Sequence, residues 1–290
     1  MKKWLKELRI THYLKNCLLF VPAFFGGVLM QGDLWMTLLA AFACFCMGAS
    51  AVYLMNDIKD VEKDRMHPRK KDRPIAAGEI GIRSAAAVAV VLLILSYVGL
   101  IVLVDAPAKN AALLVFSGYL AVNVLYSIAG CKKIPLMDVA ILVFGFYLRV
   151  LMGSVLTGVK ISSWLYLVVV SGAFYLAFGK RRNELKFAGS ESRDVLSGYA
   201  EGFLDKVMYA CMTMTNVFFA LWCTQIGENQ SCMILVPILM LICFKYSMDL
   251  EKENNDGDPM NVILHDKVLL LLGVLFVVLM FVLLYGQGGS

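Results

Sequence analysis

Long runs of uncharged, apolar residues recur along the whole chain and limit what it can fold into. One of them, LLAAFACFCMGASAVYLM, ends at residue 55 and contains no charge. Of the 290 residues, 60% are apolar and only 17% are charged. This apolar fraction is larger than a soluble domain needs for its core. Runs of about 20 such residues are typical of membrane-spanning helices, in which every backbone group is bonded internally. We therefore predict an all-α, multi-pass membrane protein.

Nine apolar stretches can be marked along the sequence. They cover residues 17–31, 35–55, 84–104, 110–129, 136–157, 163–179, 204–226, 232–248 and 268–285. We predict one transmembrane helix from each stretch, and a bundle of nine helices in all. No linker rich in Ser, Gly or Pro and no internal repeat divides the sequence, so we predict a single domain over residues 1–290.

The basic residues predict the orientation of this bundle. With the N-terminus in the cytoplasm, the 27 Lys and Arg residues fall on the cytoplasmic side except Lys109, Lys160 and Arg149. Because cytoplasmic loops carry the excess of positive charge, nine spans then place the C-terminus outside. Three of the four cytoplasmic connections are long, so we expect a cytoplasmic-side active-site cavity in a plasma-membrane protein. This topology accounts for the net charge of +5, and we predict no nucleic-acid partner.

The segment NDIKDVEKDRMHPRKKDRPIAAGEI, residues 56–80, concentrates charge of both signs directly after an apolar stretch. Its acids Asp57, Asp60 and Asp64 lie at positions i, i+3 and i+7, which share one helical face. Asn56 precedes them on the same helix. Aligned carboxylates repel one another unless a cation neutralises them, and oxygen ligands suit Mg²⁺, which also recruits phosphate oxygens. The acids therefore predict a Mg²⁺ site.

The basic residues of the same segment predict the second half of that site. Arg69, Lys70 and Arg73 follow the acids closely, and Arg and Lys side chains bind phosphates. A solvated cytoplasmic loop would explain the bases alone, but not three aligned acids at the end of an apolar helix. The segment as a whole thus indicates a site for Mg²⁺ and a diphosphate.

Polar residues elsewhere suggest further parts of a site. Arg149 lies deep in the fifth stretch, where a charge faces a polar cavity or forms a structural ion pair, and the sequence leaves both open. Asn123, Tyr126 and Ser127 share a face near the cytoplasmic end of the fourth stretch. They either link helices or line a cavity.

Lys180, Arg181, Arg182 and Glu184, in FGKRRNEL, begin the third cytoplasmic connection. A basic cluster at a membrane edge is more often an anchor to anionic lipid than part of an active site. The residues alone do not choose between these roles.

The acidic segment resembles the first aspartate-rich motif, N-D-x-x-D-x-x-x-D, of the UbiA-type intramembrane prenyltransferase superfamily. The resemblance covers almost the whole chain. It implies a bundle of nine transmembrane helices whose cytoplasmic-side site binds Mg²⁺ and a diphosphate. It also implies that Asp57, Asp60 and Asp64 are both the catalytic residues and the metal ligands.

The sequence departs from that superfamily where a second aspartate-rich motif would follow the sixth helix. FGKRRNELKFAGSESRD stands there, and its basic start resembles the branch that includes decaprenyl-phosphate phosphoribosyltransferase. RITHYLKNCLLFVPAFFGG, YSIAGCKKIPLMDVAILVFGFYLRVLMG and GDPMNVILHDK resemble the same branch. In that branch the donor is phosphoribosyl pyrophosphate and the acceptor is a polyprenyl phosphate.

The resemblance implies an enzyme that transfers phosphoribosyl to a polyprenyl phosphate and releases pyrophosphate, with Mg²⁺ as cofactor. The partners are thus a polyprenyl lipid and a soluble phosphorylated co-substrate. We expect substrate binding by Lys15, Asn16, Asn56, Arg69, Lys70, Arg73, Tyr126, Arg149, Lys180, Arg181, Arg182 and Glu184.

Two alternatives remain open. A prenyltransferase using a polyprenyl diphosphate and an aromatic or other small acceptor would need a second acidic motif, for which Asp249, Asp256 and Asp258 are candidates. A transporter would place ionisable groups near mid-membrane. Only Arg149 meets that condition, so the enzyme is favoured.

Overall fold

The chain is all-helical, as the apolar stretches predict. A computed structural model describes residues 2–66, 70–105, 108–128, 130–188, 194–225, 231–252 and 257–286, and no β-strand occurs among them. The α-helices are α1 Lys2–Glu7, α2 Val21–Phe25, α3 Gly32–Lys59, α4 Val61–Met66, α5 Ile82–Leu103, α6 Ala108–Ile128, α7 Met137–Thr157, α8 Ser163–Ala188, α9 Glu201–Gln225, α10 Leu235–Leu250, α11 Pro259–His265 and α12 Lys267–Tyr285. Short 3-10 helices cover Ile10–Phe20, Lys70–Asp72, Cys131–Lys133, Asp194–Gly198 and Ser231–Ile234.

Eight helical segments within these ranges are long and apolar enough to cross a membrane. They are Leu34–Lys59, Ile82–Leu103, Ala108–Ser127, Met137–Thr157, Ser163–Phe187, Glu201–Gln225, Ser231–Leu250 and Lys267–Tyr285. Each coincides with one of the last eight predicted stretches. Many of their apolar side chains face outward, as expected of helices whose surroundings are lipid.

The first predicted stretch, residues 17–31, folds differently from the other eight. A 3-10 helix occupies Ile10–Phe20, α2 continues it to Phe25, and the chain then turns at Gly27, whose φ is +71°. Pro22, within the first turn of α2, has no N–H to donate to the preceding turn. This stretch is therefore helical in pieces rather than one long α-helix. The count of nine spans and the orientation of the termini stay predictions.

The helices group into two compact units, and the division falls within α7. The first unit comprises residues Met1–Gly130 and Leu148–Val159. In it α3 packs along α5, and the second half of α7 approaches the 3-10 helix closely at Gly153. A Cβ atom there would lie 1.9 Å from the carbonyl oxygen of Leu19, so only glycine allows this contact.

The second unit comprises residues Cys131–Tyr147 and Lys160–Ser290. Helices α8 and α9 pack along one another, and α10 packs against α12. Its buried core includes Leu196, Leu204, Met208, Tyr246 and Leu250. The single domain expected from the sequence remains a prediction.

Candidate functional site

The three motif aspartates lie where α3 ends and α4 begins. Asp60 separates the two helices, but its N–H still donates to the Asn56 carbonyl at 2.9 Å. The N–H of Asp64 in turn donates to the Asp60 carbonyl at 2.8 Å. Helical hydrogen bonding thus continues across the junction and keeps the predicted i, i+3, i+7 alignment. Asp57 and Asp64 are buried, and Asp60 is half-buried.

Arg73 joins two of these aspartates. Its Nη1 atom lies 2.8 Å from Asp57 Oδ1 and 2.6 Å from Asp64 Oδ2. The turn after the 3-10 helix Lys70–Asp72 positions it, since its N–H donates to the Lys70 carbonyl at 3.0 Å. Arg73 of the predicted basic half therefore meets Asp57 and Asp64 of the acidic half in one cluster.

Arg9 also belongs to this cluster, and the sequence reasoning missed it. Its Nη2 atom lies 2.7 Å from both carboxylate oxygens of Asp57, and its guanidinium stacks 4.7 Å from the centre of the Tyr53 ring. Burial by itself lowers the pKa of Arg9, but Asp57, Tyr53 and Glu7 together outweigh burial and leave that pKa raised. The left-handed backbone of Arg9, at φ 52°, turns the chain between α1 and the 3-10 helix.

Glu7, the last residue of α1, is a further buried acid beside Asp57. It is 2% exposed, and its Oε1 atom has no hydrogen-bond partner among the described residues. Burial, together with the negative charge of Asp57, raises the pKa of Glu7 to about 7. The sequence reasoning counted the charges around it only toward topology and did not find it.

The chemistry of the cluster fits a divalent cation. Within the described ranges no three His, Cys, Asp or Glu side chains converge as a formed metal site. Asp57 and Asp64 nevertheless face the same cationic nitrogen of Arg73, which shows that a positive charge is accommodated between them. Their hard oxygen donors are those that Mg²⁺ prefers. Asp57 and Asp64 would hold the ion, with Asp60 beside them on the same helical path.

The predicted residues Asn16 and Arg149 come together in the first unit. Arg149 is buried, its Nε donates to Asn16 Oδ1 at 2.7 Å, and its Nη2 donates to the Tyr119 hydroxyl at 3.0 Å. Its guanidinium also stacks on the Tyr119 ring at 4.7 Å. Arg149 is thus held by the buried polar side chains of Asn16 and Tyr119, and these contacts do not choose between a polar cavity and a structural ion pair. Its role in substrate binding stays a prediction.

Two of the three polar residues predicted near the end of the fourth stretch line a cavity. Asn123 and Ser127 of α6, together with Asn56 and Lys59 of α3, border a cavity of about 460 Å³. The Ser127 hydroxyl donates to Asn56 Oδ1, which fixes this edge of α6 to α3. Tyr126 is half-buried, and Lys15 and Lys70 are half-buried elsewhere in the same unit. Arg69 lies outside the described residues.

In the second unit Arg181 is buried in a network of its own. It is 1% exposed, its Nε donates to Asp138 at 2.6 Å, and its Nη1 donates to Glu184 at 2.6 Å. Asp138 also accepts from the Tyr199 hydroxyl at 2.7 Å. The predicted Arg181 and Glu184 are therefore brought together. Asp138 and Tyr199, which the sequence reasoning missed, complete the network.

Lys180 and Arg182 have partners in other segments of the same unit. Lys180 donates to Asp258 at 2.7 Å, and Asp258 also caps the first turn of α11. Arg182 donates to Asp205 at 2.7 Å and to Glu251. The basic cluster thus forms ion pairs with acids far away in sequence, and its phosphate-binding role stays a prediction.

The acids considered as a replacement for a second aspartate-rich motif are also paired. Both carboxylate oxygens of Asp249 accept from Lys245, at 2.5 and 2.7 Å. Asp258 is bound to Lys180 as described, and Asp256 lies outside the described residues. We find no sign that Asp249 and Asp258 converge on one site.

Comparison with known proteins decides the family. A model of the UbiA prenyltransferase family matches residues 19–262. The chain belongs to the UbiA prenyltransferase family. This UbiA-family protein is therefore an integral membrane transferase.

Two relatives of this UbiA-family protein share one name with each other. Decaprenyl-phosphate phosphoribosyltransferase of Corynebacterium glutamicum is 32% identical, and the match covers 94% of this chain and 84% of the relative. The enzyme of that name from Mycobacterium tuberculosis is 31% identical, with 94% of this chain and 91% of the relative covered.

Solved structures share the fold. A UbiA homologue from Archaeoglobus fulgidus bound to DMAPP and Mg²⁺ has a TM-score of 0.71 and 18% identity, over 98% of this chain and 99% of its own. The same homologue bound to GPP and Mg²⁺ also has a TM-score of 0.71. These likenesses support the UbiA fold for the described helices.

Proposed function

We propose that this transferase moves phosphoribosyl from phosphoribosyl pyrophosphate to a polyprenyl phosphate. The observation that carries the proposal is the charge cluster in which Asp57 and Asp64 face Arg9 and Arg73, because it provides metal-binding acids and phosphate-binding bases together. The names of the two relatives support phosphoribosyl as the transferred group. We further propose that the site faces the cytoplasm from the plasma membrane, where a soluble donor is available.

The reaction is a substitution at the anomeric carbon of ribose. A phosphate oxygen of the lipid forms a bond to that carbon as the bond from the carbon to pyrophosphate breaks. The bonding electron pair leaves with pyrophosphate. The attacking phosphate is already ionised, so no general base has to remove a proton.

The residues of the first cluster bind the pyrophosphate end of the donor. Asp57, Asp60 and Asp64 would hold Mg²⁺, which supplies positive charge to the departing pyrophosphate. Arg9 and Arg73 donate to pyrophosphate oxygens and stabilise the negative charge that develops there. Arg69 and Lys70 add positive charge from the same segment.

The cluster at the end of α8 is proposed to bind a phosphate of the donor or of the acceptor. Lys180 is the member suited to contact this phosphate, since its side chain is 30% exposed. In the structure its ammonium pairs with Asp258 at 2.7 Å. Arg181 is enclosed between Asp138 and Glu184, so we assign it to holding this end of α8 in place.

Prenyl transfer to a small acceptor is the second candidate. It is favoured by the structural likeness to a homologue bound to DMAPP and Mg²⁺. Against it, within the described part of the last cytoplasmic segments, Asp249 and Asp258 are held by lysines rather than directed to one site.

A transfer assay separates the two candidates. Purified protein in detergent is given Mg²⁺, radiolabelled phosphoribosyl pyrophosphate and a polyprenyl phosphate, and label is expected in the organic phase. Asp57→Asn protein is the matched control and should give none. Prenylation of an aromatic acid from a polyprenyl diphosphate, without phosphoribosyl transfer, would show the second candidate to be correct.

A further inference from the structure

The last turn of α3 carries side chains on two opposite faces. Asp57 contacts Arg9 and Arg73 on one face. Lys59 follows two positions later, and at about 100° per residue this places it on the other side of the helix. There it borders the cavity of about 460 Å³ that residues of α3, α5 and α6 line. The cavity is thus separate from the aspartate cluster.

Almost all of the surface exposed inside this cavity is apolar, and residues with polar side chains border it at the end of α3. Its polar lining consists of Asn56, Lys59, Asn123 and Ser127. Its apolar lining includes Val52, Met55, Ala86, Ala89, Val90 and Leu93. Its volume falls in the range of about 300–1,000 Å³ that is usual for ligand pockets. An amphiphilic molecule with a small polar head matches this division.

Lys59, the cation at this end of the cavity, faces no acid among the lining residues that the structure describes. The Lys59 ammonium donates to the carbonyl oxygen of Ser127 and forms no ion pair there. None of the residues lining the cavity is Asp or Glu. A ligand that supplies the missing negative charge is therefore favoured. The Asn56 amide provides further donors, and Asn123 provides one N–H, since its Nδ2 already donates to the Tyr119 carbonyl at 2.8 Å.

The apolar part follows the membrane-crossing portion of the helices. Lys59 ends the candidate span Leu34–Lys59, whereas Ala86–Leu93 lie within the span Ile82–Leu103. Val90, which lines the cavity, is 55% exposed on the outer surface of α5. The cavity therefore starts at a span end with a cation and extends along apolar side chains toward lipid. A lipid chain can enter it from the side.

We propose that this cavity binds the phosphate and the first isoprene units of a polyprenyl phosphate, as a lipid-loading site distinct from the aspartate cluster. A phosphate monoester carries up to two negative charges and three acceptor oxygens, which match one ammonium and two amides. The identity of the lipid rests on the proposed function, whereas the binding itself does not.

Photocrosslinking tests the site directly. A polyprenyl phosphate with a diazirine in its first isoprene unit is irradiated with full-length protein in detergent, and crosslinked peptides are identified by mass spectrometry. We expect crosslinks within α3, α5 and α6. Lys59→Gln should reduce their yield about tenfold at subsaturating lipid, as expected for one charge-assisted contact. Ala86→Phe, which fills the cavity from an exposed position, should reduce it without changing charge.

Lys63→Gln is the matched control, because it removes the same charge one turn further along at an exposed residue. It should leave the yield unchanged. Equal yields from Lys59→Gln and wild type would overturn the proposal. So would more effective competition by phosphatidic acid than by unlabelled polyprenyl phosphate, which would indicate an ordinary membrane lipid. Inorganic phosphate that suppresses crosslinking as well as an equal concentration of unlabelled polyprenyl phosphate would also overturn the proposal, because the apolar part of the cavity would then add nothing to binding.

The outcome is distinguishable from that of the proposed function. Crosslinks in the cavity without phosphoribosyl transfer would support the binding site and reject the proposed reaction. Phosphoribosyl transfer with crosslinks confined to other helices would support the reaction and reject this site.

Discussion

The guanidinium of Arg73 lies 2.8 Å from the carboxylate of Asp57, although 16 positions separate the two residues. This ion pair ties the turn after the 3-10 helix Lys70–Asp72 to the end of α3. The Asp57 side chain is only 5% exposed, so its charge depends on nearby cations rather than on water. In the proposed reaction Mg²⁺, Arg9 and Arg73 together would balance the negative charge of Asp57.

Removing one carboxylate should abolish turnover while the protein stays folded. Asp57→Asn and Asp60→Asn each remove a ligand and weaken the attraction for Mg²⁺, whereas Asp64→Glu should retain part of the activity. Binding of Mn²⁺, followed by electron paramagnetic resonance, should weaken in parallel. Glu62→Gln is the control, since Glu62 is exposed and pairs with Arg65 on the same helix. Wild-type activity of Asp60→Asn, or full activity with excess chelator, would contradict the metal site.

Removing Arg73 should weaken binding of the donor more than binding of the lipid. Arg73→Ala should raise KM for phosphoribosyl pyrophosphate about tenfold or more, because a charge-assisted bond is worth about 1.5–3 kcal/mol. Arg73→Lys should restore part of the loss as a point charge. Steady-state kinetics with each substrate varied in turn measures both effects. An unchanged KM for the donor would mean that Arg73 serves only to hold Asp57 and Asp64.

Local patterns in the sequence predicted much of this architecture. Eight of the nine apolar stretches coincide with long helices, because span length and lack of charge are properties of contiguous residues. The alignment of Asp57 with Asp64 was predictable for the same reason. The first stretch was not, since a 3-10 helix and an α-helix share the same apolar composition.

Contacts between residues far apart in the chain could not be predicted from the sequence. Arg9 pairs with Asp57 across 48 positions, and Arg181 pairs with Asp138 across 43. In a single sequence nothing distinguishes these charges from others near the membrane surface. The segment FGKRRNEL showed three cations, but only the fold shows which acids accompany them.

Truncation of Arg181 should destabilise the protein rather than change the affinity for one substrate. Arg181 and Asp138 are 1% and 0% exposed at the side chain, and removing one partner of such a pair typically costs about 3–5 kcal/mol. Arg181→Ala should therefore lower the midpoint of thermal unfolding in detergent, and Arg181→Met with Asp138→Leu should recover much of it. Lys180→Ala should instead raise one KM with little loss of stability. A stable Arg181→Ala protein with a raised KM for only one substrate would contradict this structural role and would indicate that Arg181 binds phosphate.

The pKa of Glu7 predicts how the metal-free protein responds to pH. Glu7 is buried beside Asp57, and its pKa is raised from 4.5 to about 7. Between those values the folded state binds more protons than the unfolded state, so the free energy of unfolding should fall as pH rises, by on the order of 2 kcal/mol. The neighbouring cations lower the pKa of Glu251, mainly through the bond from Lys186, so its effect lies below this window.

Thermal unfolding in detergent with excess chelator, at pH 5.5 and pH 8, measures this response. Wild type should be less stable at pH 8 than at pH 5.5, and Glu7→Gln should lose that difference because its amide does not ionise. Glu79→Gln is the control at an exposed residue that pairs with Lys3 at 3.5 Å, and it should keep the wild-type response. Identical pH responses of wild type and Glu7→Gln would mean that Glu7 is not the titrating acid. Added Mg²⁺ provides positive charge near Asp57, so it should reduce the loss of stability at pH 8 in wild type.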